Sequence, residues 1–312
     1  MYNPSKPYKK EILELIQNTW QTPYLDVESS IYPIFTKKFS YSEVDHTDGI
    51  GTKGYYHWKK QTFKNAAQDA LAMNLNDFAL VRAIPYKLQN HIQIPKDDSG
   101  SILEIMGALA GECRKRSIAM TGGETSIQNN VDGVEVSLTV SGFIPTPKPN
   151  QFQIGDILVG LKSNGLHSNG FTKVREIFGD EIREESTEPT ALYLDTILEL
   201  NEKVDIHGMM HITGGAYTKL KDVLSGGAEI EITNTHALKP QTIFYELHKK
   251  GKVTDEEMYR TFNCGIGFIF SISPTDKEKI AFNKNCVYIG EVVRGAGKVK
   301  IHSMFSNQTI EL

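Results

Sequence analysis

A proline-rich segment divides this chain into two halves, and helix and strand patterns alternate within each half. The segment PTPKPN at residues 145–150 has three prolines among six residues. Because proline lacks an amide hydrogen and has a fixed φ, neither a helix nor an inner strand can continue through it. At 312 residues, the chain is also long for a single domain. We therefore predict an α/β (α+β) protein of two domains, residues 1–146 and 147–312.

In the first half, three segments have apolar residues at helical spacing, and three shorter ones have the apolar patterns of strands. The helix patterns cover residues 8–20, 63–81 and 99–116, and the strand patterns cover 38–46, 118–120 and 134–143. Ser99 is a candidate N-cap for the third helix. The first half therefore mixes helices with strands.

The second half has the same mixture of patterns. Strands are predicted at residues 156–161, 228–232, 267–272 and 287–293, and helices at 170–178, 190–203 and 217–224. Glycine-containing turns precede several of these elements. Both domains are therefore expected to be of mixed α and β structure.

The composition excludes two classes of partner. A formal net charge of −4 provides no broad positive field for a nucleic-acid backbone, so we expect no nucleic-acid partner. No apolar run reaches the ~18 residues of a membrane-spanning helix, and the first residues lack the apolar core of a secretory signal. We expect no membrane partner and a cytoplasmic location.

The cysteines and one histidine pair do not indicate a zinc site. Cys113, Cys264 and Cys286 form no closely spaced pair, which also argues against a disulfide framework. His207 and His211 have the spacing of a helical zinc motif, but HGMMHITGG leads into a glycine turn. We expect buried free thiols. Cys264 stays open between packing and nucleophilic chemistry, because it lies within the turn NCG.

Three acidic residues of the first half occur beside glycines or at the ends of predicted elements. Asp48 lies in TDGIGTK at residues 47–53, Asp77 in the pair Asn76–Asp77, and Glu124 in TGGET at residues 121–125. Carboxylates of this kind hold Mg²⁺ at nucleotide sites, and a shared cation would relieve their mutual repulsion. Lys53 could neutralise a phosphate. Taken singly, each of these residues has a structural alternative. Asp48 could form a turn with a solvated Lys53, Asp77 could end a helix, and Glu124 could cap one.

The second half has three turns that combine polar residues with glycine. They are HSNG at residues 167–170, HITGG at 211–215 and NCG at 263–265. Glycine lets backbone amides face an anion in such turns. His167 and His211 are candidates for proton transfer near neutral pH, although His167 could instead bond the backbone of its own loop. Arg260 has two interpretations, a phosphate contact or an ion pair with Glu256.

These motifs resemble those of aminoimidazole ribonucleotide synthetases, the phosphoribosylformylglycinamidine cyclo-ligases. TDGIGTK, the Asn76–Asp77 pair, TGGET, GDILVGLKSNGLHSNGF, VDIHGMMHITGG and EMYRTFNCGIG occur in the order of that family, from residue 47 to about 270. HSNG and GGET occur in a wider superfamily of ATP-using enzymes, whereas MYRTFNCG is specific to the cyclo-ligases. The resemblance therefore covers both halves of the chain.

The resemblance implies a fold, a reaction and a set of site residues. It implies a homodimer in which N-terminal strands of two subunits form a barrel, and a C-terminal α/β domain. The reaction would use ATP and Mg²⁺ to close the ring of formylglycinamidine ribonucleotide in purine (IMP) biosynthesis. By similarity, Asp48, Asp77 and Glu124 would hold the metal, and His167, Asp77 and His211 would be catalytic. The nucleotide and its phosphates would contact Asp48, Gly49, Gly51, Thr52, Lys53, Asn76, Gly122, Gly123, Glu124, Asn169, Gly214, Gly215 and Asn263.

Two alternatives follow from loops that differ from the family pattern. SSIYPIF at residues 29–35 stands where the family has a glycine-rich loop. The chain could therefore be a related ATP-dependent kinase or synthetase that acts on another small molecule. It could also be a nucleotide-binding protein without catalytic activity, but a decayed site would be expected to lose its costly acidic residues first.

Overall fold

The computed structural model describes residues 8–281 and 283–312, which form two compact units. One unit runs to Phe78 and resumes over Arg82–Pro147, and the other comprises Lys148–Leu312 together with Ala79–Val81. Each unit has its own main sheet and its own buried apolar residues. No helix in the described parts of the chain has the length and hydropathy needed to cross a membrane.

The first unit contains four helices and six strands among its described residues. The helices are α1 (Lys9–Gln17), α2 (Lys53–Lys60), α3 (Phe63–Leu80) and α4 (Ser99–Lys115). The strands are β1 (Leu25–Glu28), β2 (Ile34–Lys37), β3 (Ser42–Gly49), β4 (Ile84–Ile94), β5 (Ala119–Ile127) and β6 (Glu135–Ile144). The three predicted helices are thus present, although α4 is capped by Asp98, whose side chain accepts the Ser101 amide, and not by Ser99.

The main sheet of this unit is open and has the order β3-β6-β4-β5. Its pairs are antiparallel except for β4 and β5, which are parallel. Helix α3 packs closely on β6, since a Cβ at Gly142 would lie 2.1 Å from the ring of Phe78. Strands β1 and β2 form a separate hairpin. The chain therefore leaves β3 and β5 as the two edges of its own sheet.

Strands β1, β2 and β4 of the first unit were not predicted, and β5 is longer than expected. Strand β4 was not predicted, although Tyr86, Leu88, Asn90 and Ile92 are buried at every second position. This alternation is the ordinary signal of a strand with one covered face. Strand β5 extends well beyond residues 118–120. TGGET was expected at the end of this strand but lies inside it.

The second unit contains seven strands that form one sheet and four α-helices among its described residues. The strands are β7 (Ile157–Lys162), β8 (Ile206–His211), β9 (Ala228–Ile232), β10 (Ile266–Ile272), β11 (Cys286–Arg294), β12 (Val299–His302) and β13 (Thr309–Glu311). The helices are α5 (Phe171–Phe178), α6 (Leu194–Lys203), α7 (Thr242–Gly251) and α8 (Asp255–Thr261). The helix expected at residues 217–224 is instead a 3-10 helix, Ala216–Val223.

The sheet of the second unit has the order β13-β12-β9-β11-β7-β10-β8. The proline-rich segment ends against its edge strand β8. Asn150 Oδ1 accepts the Met209 amide at 2.6 Å, and Asn150 Nδ2 donates to the Met209 carbonyl at 3.0 Å. The Gln151 amide donates to the His207 carbonyl at 3.0 Å. These bonds satisfy backbone groups of β8 that an exposed sheet edge would leave without hydrogen-bond partners.

Candidate functional site

In the first unit, the side chains of Asn74 and His46 connect Asp48 with Asp77, two of the residues predicted to hold the metal. Asp48 lies near the end of β3 and Asp77 near the end of α3. Asn74 Nδ2 donates to the backbone carbonyl of Asp48 at 3.1 Å, and Asn74 Oδ1 lies 3.0 Å from His46 Nδ1. His46 Nε2 in turn lies 3.3 Å from Asp77 Oδ2. The end of the strand and the end of the helix are therefore tied at this point.

The hydrogen bonds of Asn74 fix the orientation of the His46 ring. Both amide hydrogens of Asn74 are directed to carbonyls, those of Asp48 and Ala70. Its oxygen therefore accepts, and His46 Nδ1 donates. The bond with Asp77 raises the pKa of His46, although burial opposes this. No role was predicted for His46; its alternation with Asp48 on one strand was the available signal.

Glu124 lies apart from the other two predicted metal ligands within one chain. Asp48 is on edge strand β3 and Glu124 on edge strand β5, with β6 and β4 between them. Three strand spacings amount to ~14 Å. Glu124 is exposed, and its Oε1 accepts the amide of the next residue, Thr125, at 2.7 Å. No three His, Cys, Asp or Glu side chains within residues 8–281 and 283–312 gather as a metal site.

Lys53 is buried in an ion pair and is not directed outwards. Its Nζ lies 2.9 and 2.8 Å from the two carboxylate oxygens of Asp69. His57 Nε2 contacts Asp69 Oδ2 at 2.7 Å, and all three side chains are 0% exposed. Burial opposes ionisation of Asp69, but the charge of Lys53 and the bond from His57 outweigh it and lower the pKa to about 2. This placement does not match the phosphate contact expected of Lys53.

The remaining residues expected to bind the nucleotide in this unit have different degrees of exposure. Asn76 is fully buried on α3, whereas Gly51, Thr52 and Gly123 are exposed. Gly51 has a φ of +55°, which favours glycine, and Thr52 precedes α2. Gly49 and Gly122 are half-buried. The turn from Asp48 to Thr52 is thus accessible at Gly51 and Thr52.

The topology of the second sheet brings its three predicted turns to one end. The turn HSNG follows β7, HITGG follows β8, and NCG precedes β10. Strand β10 lies between β7 and β8 and is antiparallel to both, so its first residues pair with their last. Ile266 pairs with Lys162, and Phe268 with His211. Turns that are far apart in the sequence are therefore neighbours in the fold.

Two of these turns are in direct proximity. A Cβ at Gly214 would lie 3.2 Å from Asn169 Oδ1, so the HITGG backbone passes close to the HSNG side chain. Gly170 (φ +75°) precedes α5, and Gly215 (φ +78°) precedes the 3-10 helix. No side chain caps either helix at its N-terminus. Two helix N-termini thus follow neighbouring turns, an arrangement that favours an anion.

Asn263 bonds its own turn, the loop that leads into HSNG and the 3-10 helix that follows HITGG. Its Nδ2 donates to the Gly165 carbonyl at 2.7 Å, and its Oδ1 accepts the Gly265 amide at 3.0 Å. Its backbone carbonyl accepts the Tyr217 hydroxyl at 2.8 Å, and the residue is 3% exposed. The side chain that was expected to contact the nucleotide is therefore used to hold the turns together.

The two predicted catalytic histidines lie on either side of a tyrosine that sequence analysis missed. The ring centroid of Tyr193 is 6.1 Å from that of His167 and 6.3 Å from that of His211. Both histidines are 1% exposed. His167 Nε2 accepts the Asn164 amide at 3.2 Å, which is the bracing alternative that the sequence left open. Tyr193 donates to the Lys162 carbonyl at 2.7 Å, and burial raises its pKa.

Comparison with known proteins identifies the family of this chain. Residues 39–144 match the N-terminal domain, and residues 153–302 the C-terminal domain, of the AIR synthase related proteins. A Methanosarcina mazei protein named phosphoribosylformylglycinamidine cyclo-ligase is 30% identical over 273 residues, which cover 81% of this chain and 80% of the relative. The chain belongs to the AIR synthase family.

Two solved structures share the fold of this chain over almost its whole length. A hydrogenase maturation protein HypE in complex with ATP has a TM-score of 0.69 at 16% identity, and the match covers 99% of this chain and 95% of HypE. Thiamine-monophosphate kinase from Stenotrophomonas maltophilia has a TM-score of 0.68 at 14% identity, with coverage of 98% and 99%. These likenesses establish the two-domain α/β fold alone.

The local structure of this chain decides between the alternatives that the sequence left open for Arg260 and Cys264. Arg260 pairs with Glu256, whose Oε1 lies 2.9 Å from Nε and 2.8 Å from a terminal guanidinium nitrogen. Cys264 is 2% exposed, and burial raises the pKa of its thiol well above its usual range. Both residues therefore have structural roles here.

We expect no rapidly reacting thiol in the native protein at pH 7. Cys113 and Cys264 are buried, and burial raises the pKa of the half-buried Cys286 to about 11. The thiolate is the reactive form, so these environments suppress reaction. Titration with a chromogenic disulfide should show slow labelling in buffer and three thiols in denaturant. Rapid labelling of Cys264 in the native protein would contradict its packing role.

Two replacements of His167 should distinguish the role of its side chain from the cost of its backbone conformation. His167 has a φ of +59°, a region that costs alanine ~1 kcal/mol but costs glycine little. We therefore expect His167→Gly to be more stable to urea than His167→Ala, with both losing the bond to Asn164. If His167 transfers a proton, both variants should lose about 10²-fold in turnover. A bracing role predicts that turnover follows stability instead.

Proposed function

We propose that this protein closes the ring of formylglycinamidine ribonucleotide with ATP to give aminoimidazole ribonucleotide. The observation that carries the proposal is the meeting of HSNG, HITGG and NCG at one end of the second sheet. The substrate has a phosphate on its ribose, and two adjoining helix N-termini suit such an anion. The relatives named phosphoribosylformylglycinamidine cyclo-ligase support the same reaction.

The chemistry requires that a poor leaving group be activated. Transfer of the ATP γ-phosphoryl group to the formyl amide oxygen makes that oxygen a phosphate ester. Attack by the ring-forming nitrogen on the carbon that bears this ester then closes the ring and releases phosphate. Phosphoryl transfer depends mainly on positioning and on charge neutralisation, so the protein needs anion-binding turns and carboxylates more than a covalent nucleophile. The buried Cys264 is consistent with this requirement.

The carboxylates of the first unit fit a divalent cation in part. Asn74 and His46 link the backbone carbonyl of Asp48 to the carboxylate of Asp77, and hard cations prefer carboxylate oxygens. Mg²⁺ would neutralise the charge of the triphosphate when bound. We assign Asp48 and Asp77 to this role, and Glu124 remains a proposed third ligand although it lies on the opposite edge strand.

The burial of His167 and His211 is consistent with support of the turns as well as with their proposed catalytic role. Each ring is 1% exposed and lies beside Tyr193. His167 also accepts an amide of its own loop. We keep both histidines as proposed catalytic residues, with Tyr193 as the residue that sets their spacing.

A direct assay tests the reaction. Purified protein is incubated with formylglycinamidine ribonucleotide, ATP and Mg²⁺, and the aminoimidazole product is measured beside an active cyclo-ligase. We expect product formation that depends on ATP. ATP consumption with another acceptor would favour a related kinase or synthetase, and nucleotide binding without any turnover would favour a non-catalytic protein. Either result would refute ring closure.

We also propose a homodimer formed through the first unit. Strands β3 and β5 are edges of its sheet within one chain, and native proteins cover or pair such edges. Pairing with a second copy would satisfy their backbone groups. Light scattering after size exclusion should give twice the chain mass of 34.9 kDa. A monomer at micromolar concentration would contradict this proposal.

A further inference from the structure

The amide hydrogens of the TDGIGTK turn are already engaged by a carboxylate. Glu135, the first residue of β6, accepts the Ile50 amide through Oε1 at 3.0 Å. Burial raises the pKa of Glu135, and the amides of Ile50 and Gly51 oppose this by favouring the charged carboxylate. The Ser137 hydroxyl donates to Oε1 at 3.1 Å. Gly51 was expected to contact the nucleotide and its phosphates, but a carboxylate of the chain itself lies against this turn.

The close approach of this carboxylate explains why residue 49 is glycine. A Cβ at Gly49 would lie 2.1 Å from Glu135 Oε1 and 2.7 Å from Ser137 Oγ. Ile50 is 1% exposed, so its amide is shielded from solvent and relies on the carboxylate as its acceptor. A buried amide without an acceptor is costly. Glu135 is therefore a built part of the turn.

We propose that Glu135 is a positioning residue for the nucleotide site, holding the turn so that Asp48 faces the cation of the nucleotide. The inference rests on the proposed function. It assigns this turn to recognition of the nucleotide through its cation, and it reserves the amides of Ile50 and Gly51 for Glu135. Glu135 thus acts through Asp48 and does not itself contact ATP.

Two substitutions at Glu135 separate the hydrogen bonds from the charge. Glu135→Gln keeps an acceptor oxygen and removes the charge, whereas Glu135→Ala removes both. We expect amide exchange at residues 50 and 51 to rise about tenfold in Glu135→Ala, as for the loss of one hydrogen bond, and to change little in Glu135→Gln. Calorimetry should show Mg·ATP binding weakened about 10- to 100-fold in Glu135→Ala alone, as when a supporting partner of a ligand is lost.

A third variant and a control sharpen this test. Gly49→Ala forces the carboxylate away, so it should reproduce Glu135→Ala, and the double variant should be no worse than either single one. Glu43→Ala makes the same truncation on β3, away from the turn, and should leave both measurements unchanged. Glu43 instead bonds Lys37 and Tyr86.

The outcomes distinguish this inference from the proposed reaction. Tighter Mg·ATP binding in both Glu135 variants would show that the carboxylate competes with phosphate for the amides, and would overturn the inference. Unchanged exchange and binding in Glu135→Ala would also overturn it. A third result would refute ring closure but not this inference: Mg·ATP binding changes among the variants as expected, while the wild-type protein forms no aminoimidazole product.

Discussion

Asp77→Asn should reduce turnover by about 10²- to 10³-fold, the usual cost of removing one charge-stabilising group from an active site, while the fold remains intact. Asp77 lies near the end of α3, and its side chain is 26% exposed. The amide has the same shape but no negative charge, so it should hold a divalent cation poorly. The measurement is kcat and the Mg²⁺ concentration for half-maximal rate, with Mn²⁺ binding followed in the absence of substrate.

A matched variant shows whether the effect is specific to that position. Asp26→Asn makes the same change in the same unit, but Asp26 is 71% exposed in a surface pair with Lys38. Such pairs contribute ~0–1 kcal/mol, so kcat and Mn²⁺ binding should stay near the wild-type values. Near-normal turnover in Asp77→Asn would show that the carboxylate has been misassigned, provided that the variant unfolds at the wild-type urea concentration.

The sequence was sufficient to predict the elements that have a strong local signal. Helices α1, α3 and α4 and strands β6, β7 and β9 occur close to their predicted positions, because each has a clear apolar period. Strand β4 has such a period too, but the polar Asn90 interrupts its apolar series between Leu88 and Ile92. The 3-10 helix after Gly215 could not be distinguished from an α-helix by pattern alone.

The chemistry of single residues depends on contacts that the sequence does not encode locally. Lys53 follows a glycine-rich turn like a phosphate-binding lysine, yet Asp69, sixteen residues later, neutralises it. Asn263 and Gly165 are ninety-eight residues apart and share a hydrogen bond. The placement of α2 beside α3 decides the first contact and sheet order the second, and neither is available from periodicity. The family resemblance is the basis for proposing which turns bind ligands, and the contacts show what several of their side chains bond to.

The buried cluster of Lys53, Asp69 and His57 should be the most sensitive point of the first unit to substitution. Asp69→Asn leaves the Lys53 ammonium at 0% exposure without its carboxylate. Breaking a buried ion pair by removing one partner costs ~3–5 kcal/mol. We expect a loss of this size in the free energy of unfolding, measured in urea. Lys53→Met together with Asp69→Leu should recover part of it, because neither charge is then left alone.

The acid limb of the stability curve provides an independent test of the same cluster. The pKa of Asp69 in the folded protein is about 2, below its ordinary value of 3.8. Its contribution is therefore complete above about pH 4 and is lost as the pH falls towards 2. Asp69→Asn should remove this part of the pH dependence. Glu199→Gln is a matched control, since Glu199 pairs with Lys203 on the surface, at 55% and 42% exposure; it should change the free energy of unfolding by less than about 1 kcal/mol. A loss in Asp69→Asn no larger than this control would show that the burial of the pair has no energetic consequence.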